Sequence, residues 1–290
     1  MRVLIVGCGY VGFPLGVELL RRGHEVFGLR RSATDELKAA GIFPLRADVT
    51  KLDELKKLPH DFDWVVNCAA PGGGGVDDYR QIYLEGNRNL VAWLAGIPPQ
   101  KFVFTSSTSV YGQNDGSVVT EISPAEPEAD TAKALREAEN LLLDAAAQKN
   151  FPVVILRVAG IYGPGRGYLL KQFLRGEARI EGGGSRFLNM IHRNDLMGVI
   201  LAALERGTPG EIYNAADNAP VTQLKFFKWL AAQLKQPLPP VVAAEATAGR
   251  KRSLTNKRVS NAKLRAELKY EFKFPDFRAG YAAEIARPTA

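Results

Sequence analysis

Residues 1–32 read MRVLIVGCGYVGFPLGVELLRRGHEVFGLRRS, and this stretch decides the fold. Arg2 to Val6 is a short run dominated by branched apolar residues, as expected of a strand buried on both faces. Gly7, Gly9 and Gly12 follow in G-x-G-x-x-G spacing. From Val11 to Arg22 apolar residues recur at helical spacing, and Glu25 to Leu29 is a second strand-like run. A strand, a glycine turn, a helix and a parallel strand make one βαβ unit. In that context Gly7 permits the tight turn, Gly9 lets the backbone approach a pyrophosphate, and Gly12 lets helix and strand pack closely. The helix N-terminus adds N–H donors and the positive end of its dipole.

The alternation continues outward from this unit. Phe43 to Arg46, Trp64 to Cys68, Lys101 to Thr105 and Val153 to Arg157 read as strands. Leu52 to Lys57, Asp78 to Leu94 and Thr131 to Lys149 read as the helices between them. The fold class is therefore α/β, a Rossmann doubly wound parallel sheet with a small C-terminal substrate lobe. Residues 1–160 are expected to form the dinucleotide domain, with segments at about 190–215 returning to it, and 161–290 to form mainly the substrate-binding lobe. In that second part a helix is expected near Asp195 to Arg206, a strand near Glu211 to Asn214 and a helix from Leu224 to Leu234, ended by Pro237, Pro239 and Pro240. The remainder, to Ala290, reads as basic and irregular.

Composition narrows the function classes. In 290 residues, 46% hydrophobic and 24% charged is an ordinary globular balance, which excludes a disordered chain. The net charge of +7 suits a polyanionic ligand. The densest basic cluster, Arg250, Lys251, Arg252, Lys257 and Arg258, lacks interleaved aromatic residues, so nucleic-acid binding is disfavoured. Cys8 and Cys68 sit in apolar surroundings and read as small core hydrophobes, with no metal site. No run of about 18 apolar residues occurs and no signal-peptide pattern opens the sequence, so a cytoplasmic protein without membrane partners is expected.

The second strand runs into Leu29, Arg30, Arg31 and Ser32, where an NAD-binding protein usually places an acidic residue. With no carboxylate there, Arg30 and Arg31 point to the 2′-phosphate of NADP(H), which a guanidinium fork fits in bidentate fashion. Asp48 and Val49 follow the third strand, in position to contact adenine. The fourth ends in Asn67, Cys68, Ala69, Ala70 and Pro71, small residues that allow close approach of a cofactor, and Gly72 to Gly75 follow as a flexible loop or a lid.

Thr105, Ser106, Ser107, Thr108, Ser109, Val110, Tyr111 and Gly112 resemble the S-S-x-x-V-Y-G segment of the extended short-chain dehydrogenase/reductases, the group that includes nucleotide-sugar epimerases, dehydratases and ketoreductases. The glycine motif, Asp48-Val49, the R-V-A-G-I-Y-G-P-G run from Arg157 to Gly165 and the stretch His192 to Leu196 extend the likeness over nearly the whole chain. The resemblance implies a nicotinamide cofactor held by Gly7, Gly9, Tyr10, Val11, Gly12, Arg30, Arg31, Asp48, Val49, Ala69, Ala70, Ser106 and Gly160. It implies Ser107 as the hydroxyl that hydrogen-bonds the substrate oxygen, and a homodimer built on the Asp78 to Leu94 and Thr131 to Lys149 helices.

The family's tyrosine acts as acid or base, with a lysine four residues on. Here Arg136, Glu137, Ala138 and Glu139 set a register that puts Thr131 and Leu135 at those positions; shifting it so that Lys133 is the lysine puts Ala129 at the tyrosine. Thr131 then positions a water or substrate group, or caps the helix beside Asp130. Tyr83 and Tyr162 are candidate substitute phenols. Arg166, Arg186, Arg193, Arg252 and Arg258 are candidates for a substrate phosphate; Lys257 and Arg258 sit at a loop and helix start, where a surface role and a role in the site both stay open. Two functions stay open: an NADP(H)-dependent oxidoreductase or epimerase acting on a carbonyl or sugar-like small molecule, and a catalytically impaired NADPH-binding or redox-sensing module.

Overall fold

The computed structural model describes residues 1–32, 34–243 and 255–286. Its first half alternates β1 (Arg2–Val6), α1 (Gly12–Arg21), β2 (Glu25–Arg30), α2 (Asp35–Ala39), β3 (Phe43–Arg46), α3 (Leu52–Leu55) and β4 (Trp64–Asn67). Then come α4 (Val76–Tyr79), α5 (Gly86–Leu94), β5 (Lys101–Ser107), β6 (Val118–Val119), α6 (Asp130–Lys149) and β7 (Val153–Val158). The later elements are β8 (Gly160–Tyr162), α7 (Tyr168–Leu174), β9 (Ile180–Glu181), β10 (Phe187–Leu188), β11 (Met190–His192), α8 (Arg193–Arg206), β12 (Ile212–Ala215), β13 (Val221–Thr222) and α9 (Gln223–Leu234). β14 (Val241–Val242), β15 (Arg258–Val259), α10 (Ala262–Leu268) and α11 (Phe277–Ile285) complete the described chain.

Seven strands form one parallel sheet in the order β12-β7-β5-β4-β1-β2-β3. The order reverses between β1 and β4, where open α/β sheets place a crevice at their carboxyl ends. Both faces are covered, so alternate side chains of one strand enter different cores. Leu4 and Val6 of β1 join Trp93, Leu94, Phe104, Leu135 and Leu142 on one face. Val3 and Ile5 join Leu15, Leu19, Val103, Val199 and Leu204 on the other.

A smaller lobe has its own apolar centre of Phe173, Phe226, Phe227, Phe277 and Tyr281. Short strand pairs stitch it together: β11 with β8, β14 with β9, β15 with β6, and the antiparallel pair β10 with β13. The stretch expected to be irregular contains α10 and α11, which bury Leu264, Leu268, Phe277 and Tyr281. Their short apolar stripes were masked by the surrounding lysines and arginines.

Two local departures shape the site. Between α4 and α5 the chain winds as π-helix over Arg80–Glu85, and such turns frequently mark functional sites. The N-cap of α6 is Ala129, so the cap expected at Thr131 is corrected: Thr131 lies within the first turn.

Candidate active site

The glycine loop is built by exclusion. Gly7 sits at φ +79°, and a Cβ there would lie 2.4 Å from the Cα and N of Ala69. A Cβ on Gly12 would lie 2.8 Å from the Gly7 oxygen and from Ile5 Cγ2. Both positions accept glycine alone without a shift of neighbouring atoms. Gly9 differs: around an added Cβ there is nothing nearer than the Gly7 oxygen at 4.0 Å, because this residue faces the cleft. The loop is closed by Gly7 N–H donating to the Leu29 oxygen at 3.1 Å and Phe13 N–H to the Gly9 oxygen at 2.8 Å. α1 thus starts directly behind the glycine loop, with no side-chain cap at Val11, and a helix N-terminus in that place is a ready site for phosphate oxygens.

The cleft has a volume of about 900 Å³ and runs along the carboxyl ends of the sheet. Of the residues singled out in the sequence for the cofactor, Gly7, Gly9, Tyr10, Val11, Arg30, Arg31, Asp48, Val49, Ala69, Ala70, Ser106 and Gly160 all line it, and Gly12 lies behind the loop. Asp48 is not an open carboxylate: its Oδ1 accepts from the N–H and hydroxyl of Thr50, which fixes the turn. Asn89 donates to the Val49 oxygen at 3.0 Å, tying this loop to α5. Asn67 donates to Asn87 Oδ1 at 2.8 Å and accepts from Ala69 N–H, so the small-residue end of β4 is held by a buried amide pair. Burial pushes the Cys8 thiol up to about 11 and the Cys68 thiol up to about 12, which keeps both protonated and poor nucleophiles. The shape and donors of this cleft fit a dinucleotide.

Ser106 and Ser107 end β5 and serve different purposes. Ser106 donates to Glu139 Oε1 at 2.6 Å inside the protein. Ser107 Oγ accepts from Ser109 N–H at 3.1 Å, starting the tight turn Thr108–Val110, and lines the cleft. Thr131 and Leu135 do not line it; Leu135 is packed into the core at 1% exposed. Tyr83 lines the cleft, held edge-on between Tyr79 and Phe104. Tyr162 is stacked on Tyr281 at 4.3 Å, with burial raising its phenol far above the ordinary range, and does not line the cleft.

The late segments supply most of the charge. Arg166 and Arg193 place their guanidinium carbons 5.1 and 5.0 Å from the Tyr10 ring centre, stacking cations over the glycine loop. Arg166 and Arg186 line the cleft. Arg258 is exposed, donates to the Gly116 oxygen and begins a strand. Arg252 lies outside the described residues. Of the two readings open for Lys257, a surface residue or a residue of the site, the surface one is corrected: it is 4% exposed, lines the cleft and donates to the Tyr111 oxygen at 2.8 Å. No local pattern in the sequence marks it, because its burial comes from β15 pairing with β6, whose residues are more than a hundred positions earlier. Among the described residues no group of three or more His, Cys, Asp or Glu stands where it could hold a metal ion, and no helix is long and apolar enough to cross a membrane.

The model of the NAD dependent epimerase/dehydratase family matches residues 3–216. Protein YeeZ of Escherichia coli K12 is 30% identical over 285 residues, 95% of this chain and 97% of its own. A solved structure from Methylobacillus flagellatus, described as an NAD-dependent epimerase/dehydratase, is 34% identical with a TM-score of 0.78, covering 98% of this chain and 97% of that one. The dTDP-glucose 4,6-dehydratase of Bacillus anthracis, solved in complex with NAD, shares the fold at 19% identity with a TM-score of 0.81, covering 97% and 94%.

These comparisons correct the expected NADP(H): neighbours solved with a nicotinamide dinucleotide hold NAD. Arg31 lines the cleft; Arg30 lines it too but is held by the protein itself. Arg30 Nε donates to the Cys8 oxygen and its Nη1 pairs with Glu36 at 2.9 Å, so the guanidinium braces the glycine loop. A carboxylate does stand at the end of β2, but it comes from α2, a helix too short to show in the hydrophobic pattern.

Proposed function

The chain belongs to the NAD dependent epimerase/dehydratase family, and we propose that it is an NAD-dependent oxidoreductase or epimerase-type enzyme acting on a small carbonyl or sugar-like molecule. The observation that carries this reading is that the glycine loop, the hydroxyl-rich end of β5 and residues of the smaller lobe line one continuous cleft. A nicotinamide dinucleotide bound there supplies a two-electron hydride donor or acceptor. Gly7, Gly9 and the start of α1 would hold its phosphates, and Arg166 and Arg193 would offset their charge. Ser107 would hydrogen-bond the substrate oxygen, since a hydroxyl can donate to a carbonyl and accept from an alcohol. Leu188, Asn189 and Arg186 of the smaller lobe would face the substrate.

A second reading is favoured by one observation: neither Thr131 nor Leu135 reaches the cleft, so the usual phenol and lysine have no replacement on α6. On that reading the chain is an NAD-binding module that catalyses little.

Calorimetric titration with NAD, NADH and NADP, followed by a screen of keto-sugars and small ketones for NADH oxidation, tests both. Selective binding of NAD or NADH with turnover supports the enzyme; binding without turnover of any compound supports the module. Absence of binding removes both. With a substrate in hand, Ser107→Ala is expected to lower kcat about 100-fold, the usual effect of losing one donor to a developing oxyanion.

A further inference from the structure

We propose that Lys257 is the proton donor and acceptor of this active site, the catalytic group that replaces the missing phenol, in a reaction with a carbonyl or secondary alcohol; the proposal rests on the enzyme reading given above. Four observations converge on it. Lys257 lines the same cleft as Ser107 and is 4% exposed. Its Nζ donates to the oxygen of Tyr111, the residue that closes the tight turn begun at Ser107. A second donation goes to Thr255 Oγ1. An ammonium has three N–H bonds, and among the described residues only these two acceptors meet it, so one N–H is left to direct at a ligand.

The backbone around Lys257 is fixed from two sides. Asn189 Nδ2 donates to the Lys257 oxygen at 2.9 Å and Asn189 Oδ1 accepts from Val259 N–H at 2.8 Å. Asn256 accepts from Gly116 N–H through its backbone oxygen and from Phe187 N–H through its side chain. A side chain held this way meets a bound substrate without reorganisation, as a proton-transfer group must.

Its surroundings favour release of the proton. Arg186 lines the same cleft; Arg258, the next residue, begins β15; the phenol of its partner Tyr111 donates to Asn214, with Arg157 over the Tyr111 ring; and Glu121 accepts from Asn214 N–H. Among the described residues no carboxylate pairs with Lys257, and burial alone pulls its ammonium down to about 8, against the roughly 10.4 of an ordinary lysine.

A nicotinamide dinucleotide, when bound, would supply the hydride that adds to the carbonyl carbon in the reducing direction, its nicotinamide being oxidised as the C=O π pair moves to oxygen. Lys257 Nζ would give that oxygen its proton, leaving a neutral amine and an alcohol, and solvent would return the proton to the amine. In the oxidising direction the neutral amine would accept the hydroxyl proton.

The test uses the full chain, glyceraldehyde as carbonyl probe and cyanoborohydride as trap. A carbonyl that reaches a neutral lysine forms an imine, which reduction fixes as an alkylated residue readable by mass spectrometry. Calorimetry with NAD is run first. Alkylation of Lys257 with a pH midpoint of about 8 is expected, below that of the exposed lysines and persisting at saturating NAD, because cofactor and carbonyl must occupy the cleft together. With a substrate from the screen, Lys257→Arg is expected to keep the melting temperature and NAD affinity while lowering kcat about 100-fold and flattening the pH profile, because arginine does not release its proton. NAD binding with Lys257 unmodified, or with Lys257→Arg at wild-type kcat, overturns the proposal and leaves the proposed function standing. Absence of NAD binding overturns both.

Discussion

The guanidinium of Arg157 and the carboxylate of Glu139 meet side by side inside the protein, Nε to Oε1 at 3.1 Å and Nη2 to Oε2 at 2.8 Å, with exposures of 2% and 0%. Ser106 donates to the same carboxylate and the Tyr111 ring lies 4.8 Å from the guanidinium carbon. The pair therefore locks β7, α6 and the end of β5 together at Ser106, the residue before Ser107. Such a pair specifies position more than it adds net stability, since both charges lost their hydration.

Arg136 also reaches Glu139, at 3.1 Å, so it is removal of Glu139 that leaves a buried charge, Arg157, without its carboxylate. Glu139→Ala is expected to lower unfolding free energy by about 3–5 kcal/mol in urea titration, and the double change Glu139→Leu with Arg157→Leu to recover most of it. A double variant no more stable than the single one would show that the pair is not the source of the loss.

Gly7 carries the second prediction. Gly7→Ala needs both a left-handed conformation and space occupied by the Ala69 backbone. The strain is about 1–3 kcal/mol before the clash is counted. Folding is expected to survive, with a lower melting temperature and NAD binding weakened more than tenfold in calorimetry. Unchanged affinity would mean that the loop does not hold the phosphates.

How much of this was legible in the sequence depends on the range of the interactions. The sheet strands and the glycine turn are local patterns of apolar spacing, so β1, β2, β3, β4, β5 and β7 could be read within a residue or two at each end. The end of β5 was legible through its resemblance. What was not legible is set by distant partners: Arg30 bracing Cys8, Glu36 supplied by α2, and Lys257 buried against Tyr111. Arginine and lysine look alike in sequence whether they meet solvent, a ligand or a carbonyl oxygen. Thr131 beside Asp130 carried the chemistry of a cap, yet the helix began after Ala129 because local capping preference is weak against the packing of Ala132, Ala134, Leu135 and Ala138.

Asp217 gives a pH dependence. It is buried, its Oδ1 accepts from Ala219 N–H, and among the described residues its Oδ2 meets no hydrogen-bond partner. Burial first, with Asp276 and Asp195 adding, pushes its carboxyl up to about 8. The folded state then keeps a proton that the unfolded chain releases near pH 4, roughly the ordinary aspartate value. Stability from this group is full below that value and falls as pH rises toward about 8. Asp217→Asn, which keeps an acceptor for Ala219 and cannot ionise, is expected to melt higher than the parent at neutral pH, with the gap closing in acid. A gap that does not change with pH would place the effect elsewhere.

The last prediction concerns why α6 carries no catalytic pair. Rebuilding the family's spacing as Thr131→Tyr with Leu135→Lys places an ammonium where Leu135 is 1% exposed, in the core with Leu142, Phe104 and Trp93. An ammonium there has no carboxylate to pair with unless it displaces the Arg157–Glu139 contact, and an unpaired buried charge costs about 3–5 kcal/mol. The double variant is expected to lose that stability and to gain no NADH oxidation, whereas Thr131→Tyr alone should melt close to the parent. This face of α6 is given over to packing, and on the proposal above the proton-transfer group comes from Lys257, which does line the cleft. A stable double variant with raised turnover would show instead that α6 still faces the substrate and that its empty positions, not Lys257, limit the chemistry.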